Sequence, residues 1–258
     1  MNLCVDVGNS TINVGVFKED SLLKSLVLTT DIMKTSDEYQ AVIIKELISI
    51  KEIKAEQVSN ITYSSVVPEI NVSLKEALKS VFTNASLLTI GPGVKTGLAI
   101  NVDNPVEIGN DLIADLVGAK AKYSYPLIVT DLGTASKILL IDKDGYFSSA
   151  LIVPGLVLSA NSLSKKASLL PTISLEKPKS VLARNTFDAM NAGIVYGHAE
   201  MISGLIRLME KELGYSCKHI LTGGSSSLLK DLMEDYHYEP FLVLEGLNEI
   251  YKKNGGKR

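Results

Sequence analysis

Apolar and polar residues alternate around two similar turns, one at the start of the chain and one near its middle. The first Asp-Gly turn, Asp6 to Thr11, separates the apolar run 3–5 from the alternating run 12–17. The second Asp-Gly turn, Asp131 to Ser136, follows the apolar run 127–129. Alternation on both sides of a glycine-containing turn predicts a β-hairpin. Because the same hairpin occurs twice, the pattern predicts a duplicated fold.

The residues between and after the hairpins predict strands that alternate with helices. Apolar residues at a spacing near 3.6 predict a helix over 37–50, with Ser36 as its N-cap. Other helices are predicted over 74–82, 111–123, 156–167, 186–213 and 225–235. Further strands are predicted over 61–67, 86–90, 137–142, 147–152 and 218–221. This order predicts an α/β architecture of two related lobes, 1–115 and 116–258, with a nucleotide cleft between them.

Composition and charge narrow the class of protein. The 258 residues are 46% hydrophobic and 21% charged, which is typical of a soluble globular protein. The net charge of −3 argues against a nucleic-acid-binding protein, since phosphate binding needs an excess of Lys and Arg. No apolar run reaches the roughly 20 residues that span a bilayer, and the chain starts with a strand pattern rather than a leader. We therefore expect a cytoplasmic protein that binds neither nucleic acid nor membrane, with the tail 252–258 in solvent.

The two Asp-Gly turns carry groups that can hold phosphate. Backbone N–H groups and the polar side chains of residues 9–11 can donate hydrogen bonds to phosphate oxygens, while the Asp6 carboxylate orders Mg²⁺ or its waters. A lone Asp-x-Gly is usually only a tight turn, whereas two at equivalent positions favour a triphosphate site. The sequence has no P-loop pattern. The glycines of residues 222–224 follow a predicted strand, and they either accommodate an adenosine or simply end the strand.

Asp111 is the candidate general base. It follows Asn104-Pro105 and lies at the predicted start of a helix, where the positive end of the helix dipole favours an ionised carboxylate. Such a carboxylate can accept the proton of an alcohol that attacks a γ-phosphate. Two alternatives stay open at this point, which are Asp111 as an N-cap and Glu107 as the base.

The histidines and cysteines do not form a recognisable site. His198, His219 and His237 lack metal-ligand spacing, and His198 is expected to pack within the helix predicted over 186–213. Cys4 and Cys217 lie in apolar segments, so we expect buried thiols rather than a bridge.

Several short motifs, in one order, resemble those of the type III pantothenate kinases. The likeness extends over nearly the whole chain, and these kinases belong to the superfamily of acetate kinase, the sugar kinases and actin. The motifs lie at residues 6–10, 93–98, 104–111, 131–135, 154–156, 170–171, 185–186, 222–224 and 241–247. The resemblance implies a duplicated actin-like (ribonuclease H-like) ATPase fold. It also implies ATP-dependent phosphorylation of pantothenate to 4'-phosphopantothenate, the first step of coenzyme A biosynthesis.

The resemblance further implies roles for individual residues. The residues assigned to ATP include the two glycines that follow the last predicted strand. The full set is Asp6, Val7, Gly8, Asn9, Ser10, Thr11, Ile12, Asn13, Gly133, Thr134, Gly223 and Gly224. Those assigned to pantothenate are Val102, Gly109, Asn110, Asp111, Leu112 and Thr186, with Asp111 as the base. Asp131 is implied to hold a monovalent cation, K⁺ or NH₄⁺, and Asp6 to hold Mg²⁺ through water. Members of the family are homodimers with a shared acceptor pocket, so Thr186 is expected to act in the neighbouring subunit's site.

Four residues depart from the family pattern. Leu112 replaces an arginine and Val102 a tyrosine, so two polar contacts to the acceptor are missing. A charge-assisted hydrogen bond is worth about 1.5–3 kcal/mol, or roughly ten- to a hundred-fold in affinity. Lys137 replaces a small hydroxyl residue, and its ammonium either takes the place of K⁺, contacts phosphate or points into solvent. Ala183 replaces a glycine.

These departures keep two alternatives to a pantothenate kinase open. One is a non-catalytic or regulatory homologue, like the Bvg accessory factors, and the other is a kinase for a related hydroxylated acceptor. Leu112 and Val102 favour these alternatives, whereas Asp6, Asp111, Asp131 and Thr134 favour a kinase.

Overall fold

The structure is a computed structural model that describes residues 1–48 and 53–255. Its strands are β1 (Asn2–Val7), β2 (Thr11–Lys18), β3 (Ser21–Thr29), β4 (Asn60–Ser65), β5 (Ser86–Thr89), β6 (Ala99–Ile100), β7 (Leu127–Leu132), β8 (Ala135–Ile141), β9 (Tyr146–Pro154), β10 (Lys218–Thr222) and β11 (His237–Tyr238). Its α-helices are α1 (Ser36–Ile43), α2 (Asn71–Val81), α3 (Asn110–Lys122), α4 (Leu156–Lys166), α5 (Thr186–Leu213) and α6 (Leu242–Lys253).

The chain folds into two compact units that are interleaved along the sequence. The first contains the described residues of Met1–Leu98, Val106–Ala121 and Val243–Arg258, and the second contains Ala99–Pro105 and Lys122–Leu242. The predicted division into lobes 1–115 and 116–258 stays a prediction.

The first unit is built on a five-stranded sheet in the order β3-β2-β1-β4-β5. β1, β2 and β3 are antiparallel neighbours, because the first Asp-Gly turn and a second short turn at residues 19–20 connect them directly. β4 and β5 run parallel to β1. Parallel neighbours need a crossover, and α1 and α2 lie within the two crossover segments.

The second unit repeats this topology in a six-stranded sheet, in the order β11-β10-β7-β8-β9-β6. β7, β8 and β9 are antiparallel neighbours, and β10 and β11 run parallel to β7. Three antiparallel strands followed by two parallel ones therefore occur in both units. The duplication that the sequence predicted is confirmed, with the short strand β6 added at one edge.

Both faces of the first sheet are covered. Leu3, Val5 and Val7 of β1 pack into one core with Tyr39 of α1 and Leu74 of α2. Since successive side chains of a strand point to opposite faces, Cys4 lies on the other side. There it packs in a second core with residues of α3 and α6. In the second unit, β7, β8 and β10 pack against α4 and α5.

The C-terminal helix α6 is part of the first unit although it follows the whole of the second. Its Asn248 accepts a hydrogen bond from Asn2 Nδ2 of β1 (3.0 Å). A Cβ at Gly246 would overlap the carbonyl oxygen of Ala114, so α6 crosses α3 in direct backbone contact. The expectation of a solvated tail is wrong at Lys252, which belongs to α6, is half-buried and pairs with Glu249 and Asp20. Residues 256–258 of that tail lie outside the described residues.

The helix predicted over 37–50 differs from the structure in its N-cap and in its helical type. Thr35, not Ser36, is the N-cap of α1, since Thr35 Oγ1 accepts from the Glu38 N–H (3.3 Å) while Glu38 Oε2 accepts from the Thr35 N–H (2.8 Å). The α-helix ends at Ile43 and continues as a π-helix to Ile48; the predicted end at residue 50 lies outside the described residues.

The helix predicted over 225–235 is wrong. Only a 3₁₀ turn, Ser226–Leu228, forms there, and turns follow it. Ser226 Oγ donates to the carbonyl oxygen of Gly223, and a hydroxyl that bonds to local backbone in this way competes with helix formation. The remaining predicted helices and strands are present, with ends that differ by three residues or fewer. The prediction missed β3, β6, β11 and α6.

Within the described residues, none of the helices combines the length and the apolar character that crossing a membrane would require.

Candidate functional site

The first Asp-Gly turn joins β1 to β2 in the first unit. The Gly8 N–H donates to the carbonyl oxygen of Thr11 (2.9 Å), which closes the turn. Thr30, directly after β3, donates from Oγ1 to the Gly8 carbonyl (2.6 Å) and from its N–H to the Ser10 carbonyl (3.0 Å). The side chains of residues 9–11 are exposed. The turn is therefore held by hydrogen bonds and exposes polar side chains.

Asp6 is the next-to-last residue of β1, where the first Asp-Gly turn begins. It is buried, and its Oδ1 accepts a hydrogen bond from Ser64 Oγ of the adjacent strand β4 (3.0 Å). In the sheet register Asp6 is opposite Asn13 of β2. Val7 and Ile12, also assigned to ATP, are fully buried in the core, so only their backbone groups are available to a nucleotide.

Asp111 is the second residue of α3 and is half-buried. The helix starts with Asn110, whose Nδ2 donates to the Ile90 carbonyl (3.3 Å), and Ile113 donates its N–H to the carbonyl of Gly109 (3.2 Å). The alternative of Asp111 as an N-cap is therefore wrong, since Gly109 has that position. A Cβ at Gly109 would overlap Asp111 Oδ1, so this glycine leaves room for the carboxylate.

The second Asp-Gly turn joins β7 to β8 in the second unit. Asp131 and Lys137 are opposite each other in the register, and Lys137 Nζ donates to Asp131 Oδ2 (2.7 Å). Their side chains are only 19% (Lys137) and 12% (Asp131) exposed. Lys137 therefore does not point into solvent, and a positive charge already lies at the carboxylate to which a monovalent cation was assigned.

Two further segments pack against the second Asp-Gly turn through glycines. The Gly155 N–H donates to the Thr134 carbonyl (3.2 Å), and a Cβ at Gly155 would overlap the carbonyls of Gly133 and Thr134. Gly223 has φ +94°, and a Cβ there would overlap Asp131 Oδ1 and the backbone nitrogen of Leu132. The structure thus brings Asp131, Gly133, Thr134 and Gly223 together, and their assignment to a cation and to ATP stays a prediction.

Thr186 is the first residue of α5 and lines a cavity of about 700 Å³ in the second unit. Its neighbour Asn185 caps the helix, since Asn185 Oδ1 accepts from the Asp188 N–H (2.9 Å). The other residues assigned to pantothenate are divided between the units. Val102 belongs to the second unit, and Leu112 lies beside Asp111 on α3 in the first.

Comparison with known proteins identifies the family of this chain. Residues 2–208 match the family described as type III pantothenate kinase. The chain belongs to the type III pantothenate kinase family. It is 38% identical over 255 residues to a type III pantothenate kinase of an Exiguobacterium species, across 98% of this chain and 99% of that protein.

Solved structures agree with the fold of this pantothenate kinase family member. One is a Campylobacter jejuni protein described as a Baf family transcriptional activator, with a TM-score of 0.58, 20% identity and 98% of both chains covered. Another is component A of (R)-2-hydroxyglutaryl-CoA dehydratase from Acidaminococcus fermentans, with a TM-score of 0.56, 15% identity and 99% of both chains covered. The predicted α/β, actin-like fold is confirmed.

The described part of this pantothenate kinase family member has no group of three or more His, Cys, Asp or Glu side chains placed to hold a metal ion. His198 is instead buried, and its Nε2 is 2.8 Å from Ser136 Oγ at the end of the second Asp-Gly turn. Burial lowers the pKa of His198, because it disfavours the charged imidazolium.

Sequence reasoning gave no role to three residues that hold the turns in this family member, which are Thr30, Ser64 and Gly155. Thr30 follows strand β3, and Ser64 belongs to strand β4. Their hydrogen bonds to the first Asp-Gly turn are therefore evident only from the sheet topology. Gly155 had a signal, since a Pro-Gly pair directly after a strand suggests a tight approach of backbone.

Proposed function

We propose that the protein transfers the γ-phosphoryl group of ATP to the primary hydroxyl of pantothenate, which forms 4'-phosphopantothenate and ADP and begins coenzyme A biosynthesis. The family match over residues 2–208 is the observation that carries this proposal. The two Asp-Gly turns and Asp111 in the first turn of α3 support it. Phosphoryl transfer needs groups that donate hydrogen bonds to the phosphates and a group that orients the nucleophile. A cytoplasmic location fits a reaction that consumes ATP.

Each unit carries residues that this proposal assigns to ATP. Residues 6–13 bind phosphate oxygens from the first unit, and Gly133 and Thr134 do so from the second. Gly223 and Gly224 accommodate the adenosine. Fixed backbone N–H groups stabilise the charge that develops on the transferred group, because they need no reorganisation at the moment of reaction.

Asp6 is the residue that we assign to Mg²⁺. This ion keeps several waters and binds through one or two carboxylates and the substrate phosphates. Asp6 fits that mode, since it is a buried carboxylate at the end of β1 and is oriented by the Ser64 hydroxyl. When bound, Mg²⁺ neutralises phosphate charge during transfer.

Lys137 takes the place of a monovalent cation at Asp131 in our account. Its ammonium is a compact single positive charge, as K⁺ and NH₄⁺ are. The 2.7 Å contact between Lys137 Nζ and Asp131 Oδ2, with both side chains largely buried, supports this assignment. A second cation at the same carboxylate would be repelled, so we expect turnover without added K⁺ or NH₄⁺.

Asp111 acts as the general base. It lies in the first turn of α3, and its carboxylate accepts the hydroxyl proton as the acceptor oxygen bonds to the γ-phosphorus and the bond to ADP breaks. Asn110 and Gly109 fix the start of the helix, and Gly109 leaves the space that the carboxylate occupies.

A kinase for a related acceptor is the second candidate function. The observation that favours it is Leu112, which is half-buried beside Asp111 and provides no charge for the acceptor's carboxylate. Comparing hydroxy acids of similar size as acceptors decides between the two candidates.

A homodimer fits an apolar surface on the second unit. Val157 and Leu158 of α4, 52% and 46% exposed, lie in one chain segment with Leu169, which is 93% exposed. Exposed apolar side chains that lie together mark interaction sites, and this proposal takes these three residues to form one. Thr186 at the start of α5 would then act in the neighbouring subunit's acceptor site.

The proposal is tested by ADP release from purified protein with MgATP, with and without pantothenate, and after Mg²⁺ is removed with a chelator. We expect ADP release that needs both pantothenate and Mg²⁺. Release that is the same with and without pantothenate, or none under any condition, would contradict the proposed function.

A further inference from the structure

His198 is a polar side chain in the apolar interior of the second unit. It lies in α5 between Val195 and Ile202, which are fully buried in the core that α5 forms with β7, β8 and β10. Residues three and four apart share one face of a helix, so His198 occupies a core position of α5. Only 5% of its surface is exposed. Burying a polar group costs free energy unless it is hydrogen-bonded, so the partner of this ring indicates its role.

The partner of His198 is Ser136, the last residue of the second Asp-Gly turn. The distance between His198 Nε2 and Ser136 Oγ is 2.8 Å. Because burial lowers the pKa of His198, the ring is neutral at pH 7, and a hydroxyl can pair with Nε2 in either tautomer. Ser136 is fully buried, so its hydroxyl acts on the protein rather than on a ligand.

The start of β8 is fixed from both faces of the sheet. Ser136 and Lys137 are successive residues of this strand, so their side chains point to opposite faces. Lys137 pairs with Asp131 on one face, and Ser136 pairs with His198 on the other. The contact with His198 therefore ties the second Asp-Gly turn to the long helix α5.

We propose that His198 is a positioning residue for ATP, which holds the second Asp-Gly turn in its phosphate-binding shape through the hydroxyl of Ser136. The inference rests on the proposed function, which assigns Gly133 and Thr134 of this turn to ATP. Thr134 is two residues from Ser136, so a displacement of Ser136 also displaces the backbone N–H groups of the turn. If the turn spends part of its time in another shape, the apparent affinity falls with the fraction that remains competent. All four residues belong to the second unit.

The test is calorimetric binding of a non-hydrolysable ATP analogue with Mg²⁺ to the wild type, His198→Leu, Ser136→Ala and the double variant. Each single variant should bind the analogue about two- to tenfold more weakly, the effect of one hydrogen bond. The double variant should bind it no more weakly than the single variants, because all three lose the same contact. In ADP release, the KM for ATP should rise by the same factor. The kcat should change little, since saturating ATP selects the binding shape.

Two further variants separate positioning from stability. In His198→Gln the amide can form a hydrogen bond with Ser136, so this variant should keep the affinity of the wild type. Asn191→Leu is the matched control, since Asn191 is also buried in α5 and its Oδ1 accepts from the Glu176 N–H (2.9 Å), which is not part of the turn. This control should lower the melting temperature and leave the affinity for the analogue unchanged.

Several results would overturn the inference. They are an unchanged affinity in His198→Leu and Ser136→Ala, losses that add in the double variant, an equal loss in His198→Gln or Asn191→Leu, and a wild type that does not bind the analogue. Should His198→Leu fail to fold, Ser136→Ala against the wild type decides the question. A wild type that shows the expected differences in binding but phosphorylates no pantothenate would support the inference and contradict the proposed function alone.

Discussion

Three glycines lie in close contact with residues that we assign to the base or to phosphate binding. At Gly109 the space that a side chain would fill is occupied by the Asp111 carboxylate. At Gly155 and Gly223 it is occupied by the second Asp-Gly turn itself. The first glycine lies beside the proposed base, and the other two lie beside the turn to which we assign phosphate binding.

Gly109→Ala tests the position of the base. The new Cβ forces the Asp111 carboxylate to move, and a displacement of about 1 Å can cost on the order of 100-fold in rate, so we expect kcat to fall about 10- to 100-fold. The KM for ATP should change little, because the donor residues are elsewhere. Gly91→Ala is the control, since nothing lies within 4 Å of a Cβ there. Normal kcat in Gly109→Ala would show that the carboxylate does not act from this position.

Lys137→Ser tests whether a side chain replaces the monovalent cation. The wild type should release ADP at the same rate in K⁺ and in choline buffers. The variant should need K⁺, with a rate about tenfold lower in choline, because an unneutralised Asp131 repels the phosphates. Steady-state rates in the two buffers are the measurement. A wild type that depends strongly on K⁺ would contradict this assignment.

The sequence already placed Lys137 near Asp131 as one of several possibilities. A two-stranded hairpin puts residues equidistant from its turn opposite each other, so the register alone brings the two side chains to one place. Whether the Lys137 ammonium points to Asp131 or into solvent depends on how the side chains around it pack, which the sequence pattern does not show.

At the scale of elements, Ser136 and His198 connect β8, which carries the second Asp-Gly turn, to α5, which begins with Thr186. Burial lowers the pKa of His198 below that of the unfolded chain, about 6.5. Below that pH the unfolded chain binds more protons than the folded protein. The contribution of His198 to the free energy of unfolding is therefore complete above about pH 6.5 and is lost as the pH falls through the folded pKa.

His198→Gln removes this titration. We expect the free energy of unfolding of the wild type, relative to the variant, to decrease as the pH is lowered from about 7.5 to about 5.5, by at most about 1.4 kcal/mol per pH unit. Urea denaturation at several pH values measures it. A difference that does not vary with pH would mean that His198 has the same pKa in both states.

The contact of α6 with α3 holds the helix that carries Asp111. Gly246→Ala places a methyl group against the Ala114 carbonyl, and overpacking of this kind typically costs about 1–3 kcal/mol. Gly197→Ala on the exposed side of α5 has open space and should instead stabilise by about 0.5–1 kcal/mol. Urea denaturation compares them. Equal stabilities would contradict a close crossing of the two helices.

Elements with strong local signals were predicted well, and elements defined by distant contacts were not. The helix over 186–213 was predicted at its observed ends, because a capping Asn and a terminal glycine bound a long periodic run. The strand β3 lies at the sheet edge with half-buried residues, so its alternation is weak. The two-residue strands β6 and β11 are too short to produce a pattern.

For the molecule as a whole, the duplicated hairpins were enough to predict two related halves of an α/β fold. The placement of α6 in the first unit was not predictable, because it depends on contacts such as Asn2 with Asn248 between the two ends of the chain. The residues assigned to ATP and acceptor came from the family resemblance, and their roles stay predictions.

The proposed dimer is a prediction at this scale as well. Val157→Glu places a charge on the apolar surface of α4 and should shift the protein from dimer to monomer, as measured by sedimentation velocity. Val72→Glu on α2, at a site that is also exposed (69%, against 52% for Val157), should leave the dimer unchanged. A wild type that sediments as a monomer would contradict the proposed assembly.

The most direct test of the central claim is the product formed by wild type and Asp111→Asn. With MgATP and pantothenate, we predict that mass spectrometry detects phosphopantothenate in equal amount to ADP for the wild type. Asp111→Asn should form it about 10²–10⁴-fold more slowly, the usual contribution of a general base, with an unchanged melting temperature. Phosphopantothenate formed at the wild-type rate by Asp111→Asn, or no phosphopantothenate from the wild type, would contradict the account.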